Sequence, residues 1–558
     1  SSVVRQNELA NVQVAVGGHV SVAALRQWLG GGLWRYASGS APYQVQVNIP
    51  THKARASLQV SSSLAGLRVT APSPFGKGPE PRAFSYQSPL GGDEQKAVLR
   101  YGNSVVAGLD WKGDQLQGAL FRLTDNATAV AAEWPLQDGL EIEGSLPRLD
   151  IRPWMPWIQQ DTGAASTQSG LPELKRLQIK GRELLSDQAR LSNVSLGVTQ
   201  TSQGWLVAVS SNELVGAAQW PEKNNENIQL SFSHLVWPLP QISSKKTNAM
   251  QSGVTNVSGH PIQIQGEGLK LRDYAALGIF DVEALILPSP SGLHVKNIQL
   301  KNPIMGFSGE MDWQWRGGTQ THLKGVANSQ NVGGLLQAFG YAPSLISERA
   351  TGDIDLAWQG APDAFDTETL DGNLKLTLLD GRLLNVSNTT SASRVLGWFD
   401  LDNIKRRFKG DFSDVTRRGL GFDTAELSGD IQGGMMPSAK LAVMGPSIKV
   451  HGQGKVDLAK QTLDQELSVV LPVTSAVPVA ALVVGGPIVG GAVAAAHMVL
   501  EKQIDKATQI RYHVTGIWAD PKVERTTAKA AAIAETAPAT SKRRTDKTDT
   551  LQPAVNKR

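Results

Sequence analysis

Histidine is the residue type in this chain best suited to metal binding and acid–base chemistry, and the spacing of its nine copies opposes both. The two closest, His497 and His513, stand 16 residues apart, so the chain has no helical histidine pair and no His-Glu-x-x-His motif. No Gly-x-Ser-x-Gly elbow is present. The glycine-rich run 485–491 lacks the Lys-Ser/Thr of a phosphate loop. The sequence therefore predicts no catalytic residue, no metal site and no cofactor, although two carboxylates brought together by folding would escape this reading.

Composition narrows the classes of protein further. With no cysteine, disulfides, thiol nucleophiles and Cys–zinc sites are excluded. Hydrophobic residues make up 41% and charged residues 19% of the 558 residues, as in a folded chain of several domains or of one elongated repeat architecture. The tail 526–558 holds seven basic and three acidic residues, which accounts for the whole net charge of +4. This distribution predicts a disordered basic tail, with contact to anionic lipid or nucleic acid as the minority alternative. Outside the tail, basic residues are balanced by acidic ones and no nucleic-acid-binding motif appears, so no nucleic-acid partner is predicted.

Alternation of apolar and polar residues is the dominant pattern. YQVQVNIP (43–50), SLQVSSSL (57–64), EMDWQW (310–315), DIDLAW (353–358) and NLKLTLLDGRLLNV (373–386) all show the period of two that is typical of strands with one apolar face. In the last run, Asp380-Gly381 indicates a hairpin turn. We predict that one groove is lined by the apolar residues Val45, Val47, Ile49, Leu58, Val60, Met311, Trp313, Trp315, Ile354, Leu356, Trp358, Leu374, Leu376 and Leu378.

A tryptophan marks the end of several of these runs. Trp111-Lys112-Gly113, Trp315-Arg316-Gly317 and Trp358-Gln359-Gly360 share the form Trp-x-Gly, and GWLVAV (204–209) and GIWADP (516–521) are similar. Their spacing is irregular, so they indicate a degenerate repeat and no propeller or leucine-rich period. Such strands fit either one long sheet with an open apolar groove or several closed β-sandwiches.

Helices are predicted to be few and short. One begins after Ser21 as N-cap and ends at Gly30-Gly31, and a second is capped by Asn331 and stopped by Gly340. A third is predicted over 391–408. Its apolar residues lie beside Lys405-Arg406-Arg407, so it either closes an end of the sheet or meets lipid head groups.

The stretch from Val477 through Leu500 holds no charged residue and is long enough to span a bilayer. Gly485-Gly486-Pro487 breaks it, which argues against a straight membrane span and predicts a helix from about Pro487 to Lys506. We interpret 477–506 as a plug in the groove end or as a membrane-contacting tip, two roles that one element can combine. The residues predicted to serve these roles are Pro487, Val489, Val493, Met498, Leu500, Lys502 and Lys506.

Several segments in order resemble a known family. They are LQVSSSLAGLRVTAPSPFGK (58–77), the region 321–365, the region 374–434, IKVHGQGKVDL (448–458) and YHVTGIWADPKV (512–523). Together they resemble the C-terminal portion of the AsmA-like proteins of Gram-negative bacteria, in their YhdP branch. The match is specific from about 320 to 525 and looser before that.

The resemblance implies a periplasmic, mainly β body that transports phospholipid between the inner and outer membranes and so supports the outer-membrane barrier. It also implies an N-terminal helix that anchors the full-length protein in the inner membrane. No such helix or leader is visible here, and the start is interpreted as a cut inside a longer protein. The expected partners are phospholipid acyl chains and the inner leaflet of the outer membrane.

These observations combine into one expected architecture. We predict an elongated, curved antiparallel β-sheet that forms a hydrophobic groove, with a few short helices at its ends and edges. The expected organisation is a β-groove body over 1–320, an AsmA-like region over 321–525 that includes 477–506, and the tail 526–558. Because no catalytic residues are predicted, the expected function is non-enzymatic. The alternatives are a scaffold or chaperone for outer-membrane protein assembly, and an enzyme whose site the sequence hides.

Overall fold

The computed structural model describes residues 12–29, 36–50, 55–156, 172–187, 189–223, 226–239, 260–316, 318–341, 343, 345–384, 420–446, 449–470, 509–518 and 521–526. The chain divides into two units. The first unit comprises Ser1–Leu376 and Ile431–Gly434, and the second comprises Thr377–Asp430 and Met435–Arg558.

Strands dominate the first unit. In chain order they are β1 (Val12–Ser21), β2 (Ala37–Ile49), β3 (Ser57–Ser62), β4 (Leu67–Val69), β5 (Phe84–Pro89), β6 (Glu94–Tyr101), β7 (Val105–Lys112), β8 (Gln115–Leu123), β9 (Gly139–Asp150), β10 (Leu174–Leu185), β11 (Arg190–Thr201), β12 (Gly204–Ser210), β13 (Leu214–Trp220), β14 (Ile228–Trp237), β15 (Ile262–Leu271), β16 (Ile279–Ser289), β17 (Gly292–Lys301), β18 (Met305–Gln314), β19 (Gln320–Ser329) and β20 (Leu345–Gln359).

Neighbours in the chain are mostly neighbours in the sheet. Antiparallel pairing runs from β1 to β8, from β10 to β14 and from β15 to β20, except that β3 pairs with β5 while β4 pairs with the start of β2. Three pairings are parallel, β8 with β9, β9 with β10, and β14 with β15. The predicted antiparallel sheet is thus wrong at these three places. A parallel pair needs a crossover long enough to return to the starting edge, and 124–138, 151–173 and 238–261 provide that length.

Two short α-helices lie in the described part of the first unit, and both predicted caps are confirmed. Helix α1 (Val22–Leu29) follows Ser21, whose hydroxyl accepts from the Ala24 amide at 3.2 Å. Helix α2 (Val332–Ala338) follows Asn331, whose side chain accepts from the Gly334 amide at 2.9 Å. Single 3-10 turns occur at Arg152–Trp154, Ala275–Leu277 and Thr367–Thr369. The helix predicted over 391–408 lies outside the described residues.

The second unit also consists mainly of antiparallel strands. Strand β21 (Asp371–Leu383) begins in the first unit, and its residues from Thr377 belong to the second. Five antiparallel pairings then join β22 (Leu420–Ile431), β23 (Met435–Met444), β24 (Lys449–Asp457), β25 (Thr462–Val470), β26 (Gln509–Ile517) and β27 (Lys522–Thr526). The mainly β prediction with few short helices is confirmed.

The hairpin predicted at Asp380-Gly381 is wrong. Asp371–Leu383 is one continuous strand. Asp380 does adopt the positive φ of 50° that its side chain tolerates. A single positive φ in a strand is compatible with continued pairing, so the local turn signal does not reverse the chain here.

Candidate functional site

One row of directly opposed apolar side chains crosses the first unit from β1 to β16. Each member is the register partner of the next, so all of them lie on one face of the sheet, which we call the apolar face. In order, the row consists of Val16, Val45, Val60, Tyr86, Leu99, Ala107, Phe121, Ile142, Leu177, Val198, Val207, Ala218, Leu230, Ile264 and Ala284. The row contains no charged residue and crosses all three parallel pairings without a break.

A second row continues the apolar face from β14 to β20. It consists of Ile228, Ile262, Ile286, Val295, Met311, Leu323 and Leu356, again as successive register partners. One row nearer the strand ends, Leu293 opposes Trp313, and both Trp313 and Trp358 oppose Thr321. Around these rows, Ala284, Val295, Ile298 and Phe307 form a buried cluster.

The register brings most of the predicted groove residues onto this face. Val45, Val47, Leu58 and Val60 lie on paired positions of β2 and β3, and Ile49 opposes Val12. Trp315 packs edge-to-face on Trp313, with ring centroids 5.1 Å apart. That these side chains contact lipid remains a prediction.

Strand β21 adds Leu374 and Leu376 to the same face. Leu376 lies against Gly352, because a Cβ built on that glycine would be 3.0 Å from Cδ2 of Leu376. Gly352 opposes Ala327, and Ile354 opposes Gly325, on the apolar face of β19. Leu374 precedes Leu376 by two residues and shares its side of the strand. Leu378 is the next alternate residue and belongs to the second unit.

The second unit has an apolar row of its own. Register partners there are Ala425, Val443, Val450, Val469 and Ile510, in that order. The adjacent positions on the other face carry Glu426, His451, Ser468 and Arg511. Each unit therefore contains an amphipathic sheet with one apolar face and one polar face.

The polar face of the first unit contrasts with the apolar face residue by residue. Gln46, Gln59 and Gln87 oppose one another one position away from the valines of the central row. On β17 and β18, Nδ1 of His294 lies 2.6 Å from a carboxylate oxygen of Asp312. These side chains form hydrogen bonds on the polar face, while the two rows of the apolar face hold no charged residue.

A crossover segment, residues 124–138, is fixed on the polar face of β6 to β9. Arg122 donates to Glu133 and to Glu143, each at 2.8 Å, and these hydrogen bonds raise the pKa of Arg122 and lower that of Glu133. Arg100 donates to the carbonyl of Val130 at 3.0 Å.

The parallel strands beneath that segment carry a buried carboxylate. Glu141 is almost fully buried and accepts from Arg176 at 2.9 Å and from the Leu136 amide at 3.0 Å. Both carboxylate oxygens therefore have partners, as a buried charge requires. Together with the arginine contacts, this ties the crossover to the polar side and leaves the apolar side of β8 to β10 uncovered by it.

A cavity of about 1270 Å³ also borders the polar face, between β8 and β15. Polar side chains reach it from several strands, namely Gln178, Lys180, Ser195, Ser210, Ser231, Gln265 and Glu267. Its volume exceeds that of many ligand sites, but its lining mixes these polar and charged groups with apolar residues such as Val130 and Phe232, whereas the rows of the apolar face hold no charged residue. For an apolar ligand, the apolar face is the better candidate site.

Some predicted residues lie outside the described part of the chain. These are all the plug or membrane-contact candidates, Pro487, Val489, Val493, Met498, Leu500, Lys502 and Lys506. Within the described ranges, no helix combines the length and hydropathy that a membrane span requires. The same ranges hold no group of three or more His, Asp or Glu side chains placed to bind a metal ion.

Comparisons with known proteins identify a family. The family described as YhdP protein matches residues 2–523. The intermembrane phospholipid transporter YhdP of Escherichia coli (strain K12) is 26% identical over 403 residues, which are 70% of this chain and 31% of that protein. The chain thus spans about a third of the length of this relative. No solved structure matches the chain. The match over nearly the whole length means that this chain belongs to the YhdP family.

Proposed function

We propose that the chain carries phospholipid along the apolar face of its sheet, as part of a non-enzymatic path between the inner and outer membranes. The observation that carries this proposal is the unbroken apolar row from Val16 to Ala284. Further support comes from the relative that is named an intermembrane phospholipid transporter. The proposal places the body in the periplasm, with the inner-membrane anchor in the full-length protein, and it gives transport a role in outer-membrane lipid homeostasis.

The dimensions of the row suit a path. Neighbouring strands lie about 4.8 Å apart, so the row from β1 to β16 spans on the order of 70 Å. This exceeds the roughly 30 Å hydrocarbon core of a bilayer. One lipid therefore covers only part of the row, and the row offers similar binding positions on both sides of that lipid.

The energetics favour movement along the row. Apolar area removed from water stabilises by about 25 cal/mol per Å², so acyl chains bind wherever the face is apolar. Moving by one strand exchanges contacts with one uncharged, mainly aliphatic side chain for contacts with another. The free energy changes little at each step, and no covalent chemistry is needed.

Photo-crosslinking on adjacent residues tests the proposal. A photoreactive amino acid at Val60 or Leu230 stands on the apolar face, and the matched controls Gln59 and Gln229 stand on the polar face of the same strands. In cells, we expect phospholipid adducts at Val60 and Leu230 and none at the controls. Adducts to an outer-membrane protein at these positions would favour the scaffold or chaperone alternative. No phospholipid adduct at either apolar position would overturn the proposal.

A further inference from the structure

Tryptophans gather along one edge of the apolar face in the first unit, at the ends of strands that are far apart in the chain. Trp205 at the start of β12 directly opposes Trp220 at the end of β13. Near the ends of β18 and β20, Trp313 and Trp358 both oppose Thr321. We call this border the tryptophan edge; its members are Trp111, Trp205, Trp220, Trp313, Trp315 and Trp358.

The register shows that these strand ends lie on one continuous border. Trp313 opposes Leu293 on β17. Two residues further along β17, Val295 opposes Ile286, which opposes Ile262, and Ile262 opposes Ile228 at the start of β14. Trp205 opposes Gln200, whose side-chain oxygen accepts from Nζ of Lys175 at 2.6 Å. From β10, the register steps then run through Leu174, Leu140, Ala119 and Leu109, two residues from Trp111.

The opposite border differs in composition. On the five strands that carry or directly precede these tryptophans, the other ends are Val105, Ser210, Leu214, Met305 and Leu345. Trp237, at the end of β14, and Trp154, four residues after the end of β9, lie on that opposite border. Among the described residues, the opposite border thus has two indoles and the tryptophan edge has six.

Indole chemistry explains what such an edge does. The ring is apolar while Nε1–H is a hydrogen-bond donor, so tryptophan prefers the level where hydrocarbon meets polar groups. Within the described residues, Nε1 of Trp111 and of Trp313 is buried without a hydrogen-bond partner. Nε1 of Trp358 donates to the carbonyl of Ala361 at 3.1 Å.

We propose, resting on the proposed function, that phospholipids lie on the apolar face with their head groups and ester carbonyls along the tryptophan edge. Their acyl chains then extend across the face toward the border that holds Trp237. Half-buried indoles provide the contact, above all the Trp205–Trp220 pair. Trp313 and Trp358, which are 1% and 5% exposed, pack beneath Trp315 and Phe365 and support the edge from below.

Fluorescence quenching by labelled lipid tests this orientation. The full chain is loaded with phosphatidylcholine that carries a nitroxide either on the head group or near the acyl-chain end. The emission lost in a Trp205→Phe/Trp220→Phe variant isolates the signal of the pair, and Trp237→Phe isolates the control on the opposite border. Trp315→Phe gives a second, independent reading of the tryptophan edge if the double variant fails to fold.

We expect the head-group label to quench the signal of the pair, and that of Trp315, more strongly than the acyl-end label does. For Trp237 we expect the reverse order. Equal quenching by both labels on the tryptophan edge, or stronger quenching there by the acyl-end label, would overturn the orientation while leaving lipid carriage intact. Failure of the wild-type chain to take up either lipid would instead overturn the proposed function, and the orientation with it.

Discussion

Strands β1–β2 and strands β16–β20 share one alternation pattern but bury their apolar faces to very different depths. Val16 on β1 is 53% exposed, whereas Val295 on β17 is 7% exposed. Val295 packs with Phe307 in a buried cluster, whereas among the described strands Val16 is opposed by Val45 of β2. Alternation therefore decides which face is apolar, and something beyond it decides how deeply that face is covered.

Neighbouring strands account for the difference. Among the described strands, β1 pairs with β2, so Val16 has an opposed side chain on one side. Val295 lies on β17 between β16 and β18, and Ile286 and Met311 oppose it on its two sides. The pairing also shifts beside it, at Glu283/Leu285 and at Val295/Ile298, and such a bulge raises the local twist. Strands β1–β2 are thus the shallow region of the apolar face, and strands β16–β20 are its deep region.

The largest expected effect comes from placing a charge in the deep region. Val295→Asp buries a carboxylate without a partner, and we expect it to lower the free energy of unfolding by about 4 kcal/mol or more. Val16→Asp, the same substitution in the shallow region, leaves the ion in water and costs less than about 1 kcal/mol. Urea unfolding curves of both variants measure the difference. Equal losses would show that the two regions are covered alike.

A milder pair of substitutions sharpens the comparison without adding charge. Val295→Ala removes buried methyl groups and leaves a cavity, for which we expect a loss of about 2 kcal/mol. Val16→Ala removes groups that are already half in water, and its cost stays below about 0.5 kcal/mol. The two urea midpoints check this prediction. A larger shift for Val16 would contradict the depth assignment.

Sequence alone predicted much of this fold because much of it is encoded locally. Alternation located β2, β3, β18 and β20, and the caps at Ser21 and Asn331 depend on residues within one helical turn. The parallel pairs were missed because 124–138 and 151–173 carry no local signal for the strand that each crossover reaches. The hairpin at Asp380-Gly381 was predicted wrongly because a local turn signal is present there but is outweighed by the continuous strand.

The candidate site was predicted only in part for the same reason. The valines of β2 and β3 are adjacent in sequence and were found, but Ile142 and Leu177 join the row through a parallel pairing. Trp205 and Trp220 stood in runs too short to reveal a shared border. Their relationship depends on the register of β12 and β13, which no spacing in the sequence encodes.

An exposed position beside the deep region separates folding from lipid carriage. Leu376 is 39% exposed although it lies against Gly352. We expect Leu376→Asp to cost about 1 kcal/mol of stability, because the carboxylate keeps much of its water. It should nevertheless reduce the phospholipid that co-purifies with the chain, since it puts a charge where acyl chains pass. Mass spectrometry of extracted lipid measures the co-purified phospholipid, and a thermal melt measures the stability. A variant that unfolds, or that keeps its phospholipid, would contradict an open apolar face at Leu376.

The smallest expected effect concerns two adjacent residues that receive the same new side chain. Gln59 and Val60 lie on opposite faces of β3, where Gln59 opposes Gln46 and Gln87 while Val60 opposes Val45 and Tyr86. Gln59→Glu adds a charge to an exposed polar row, so we expect a stability change within about 0.5 kcal/mol and unchanged lipid content. Val60→Glu places the same carboxylate in the central apolar row, and we expect lipid content to fall. Co-purified phospholipid per mole of protein is the measurement. Equal lipid content in the two variants would break the distinction between the apolar and polar faces at β3, where Val60 and its partner Val45 are half-buried.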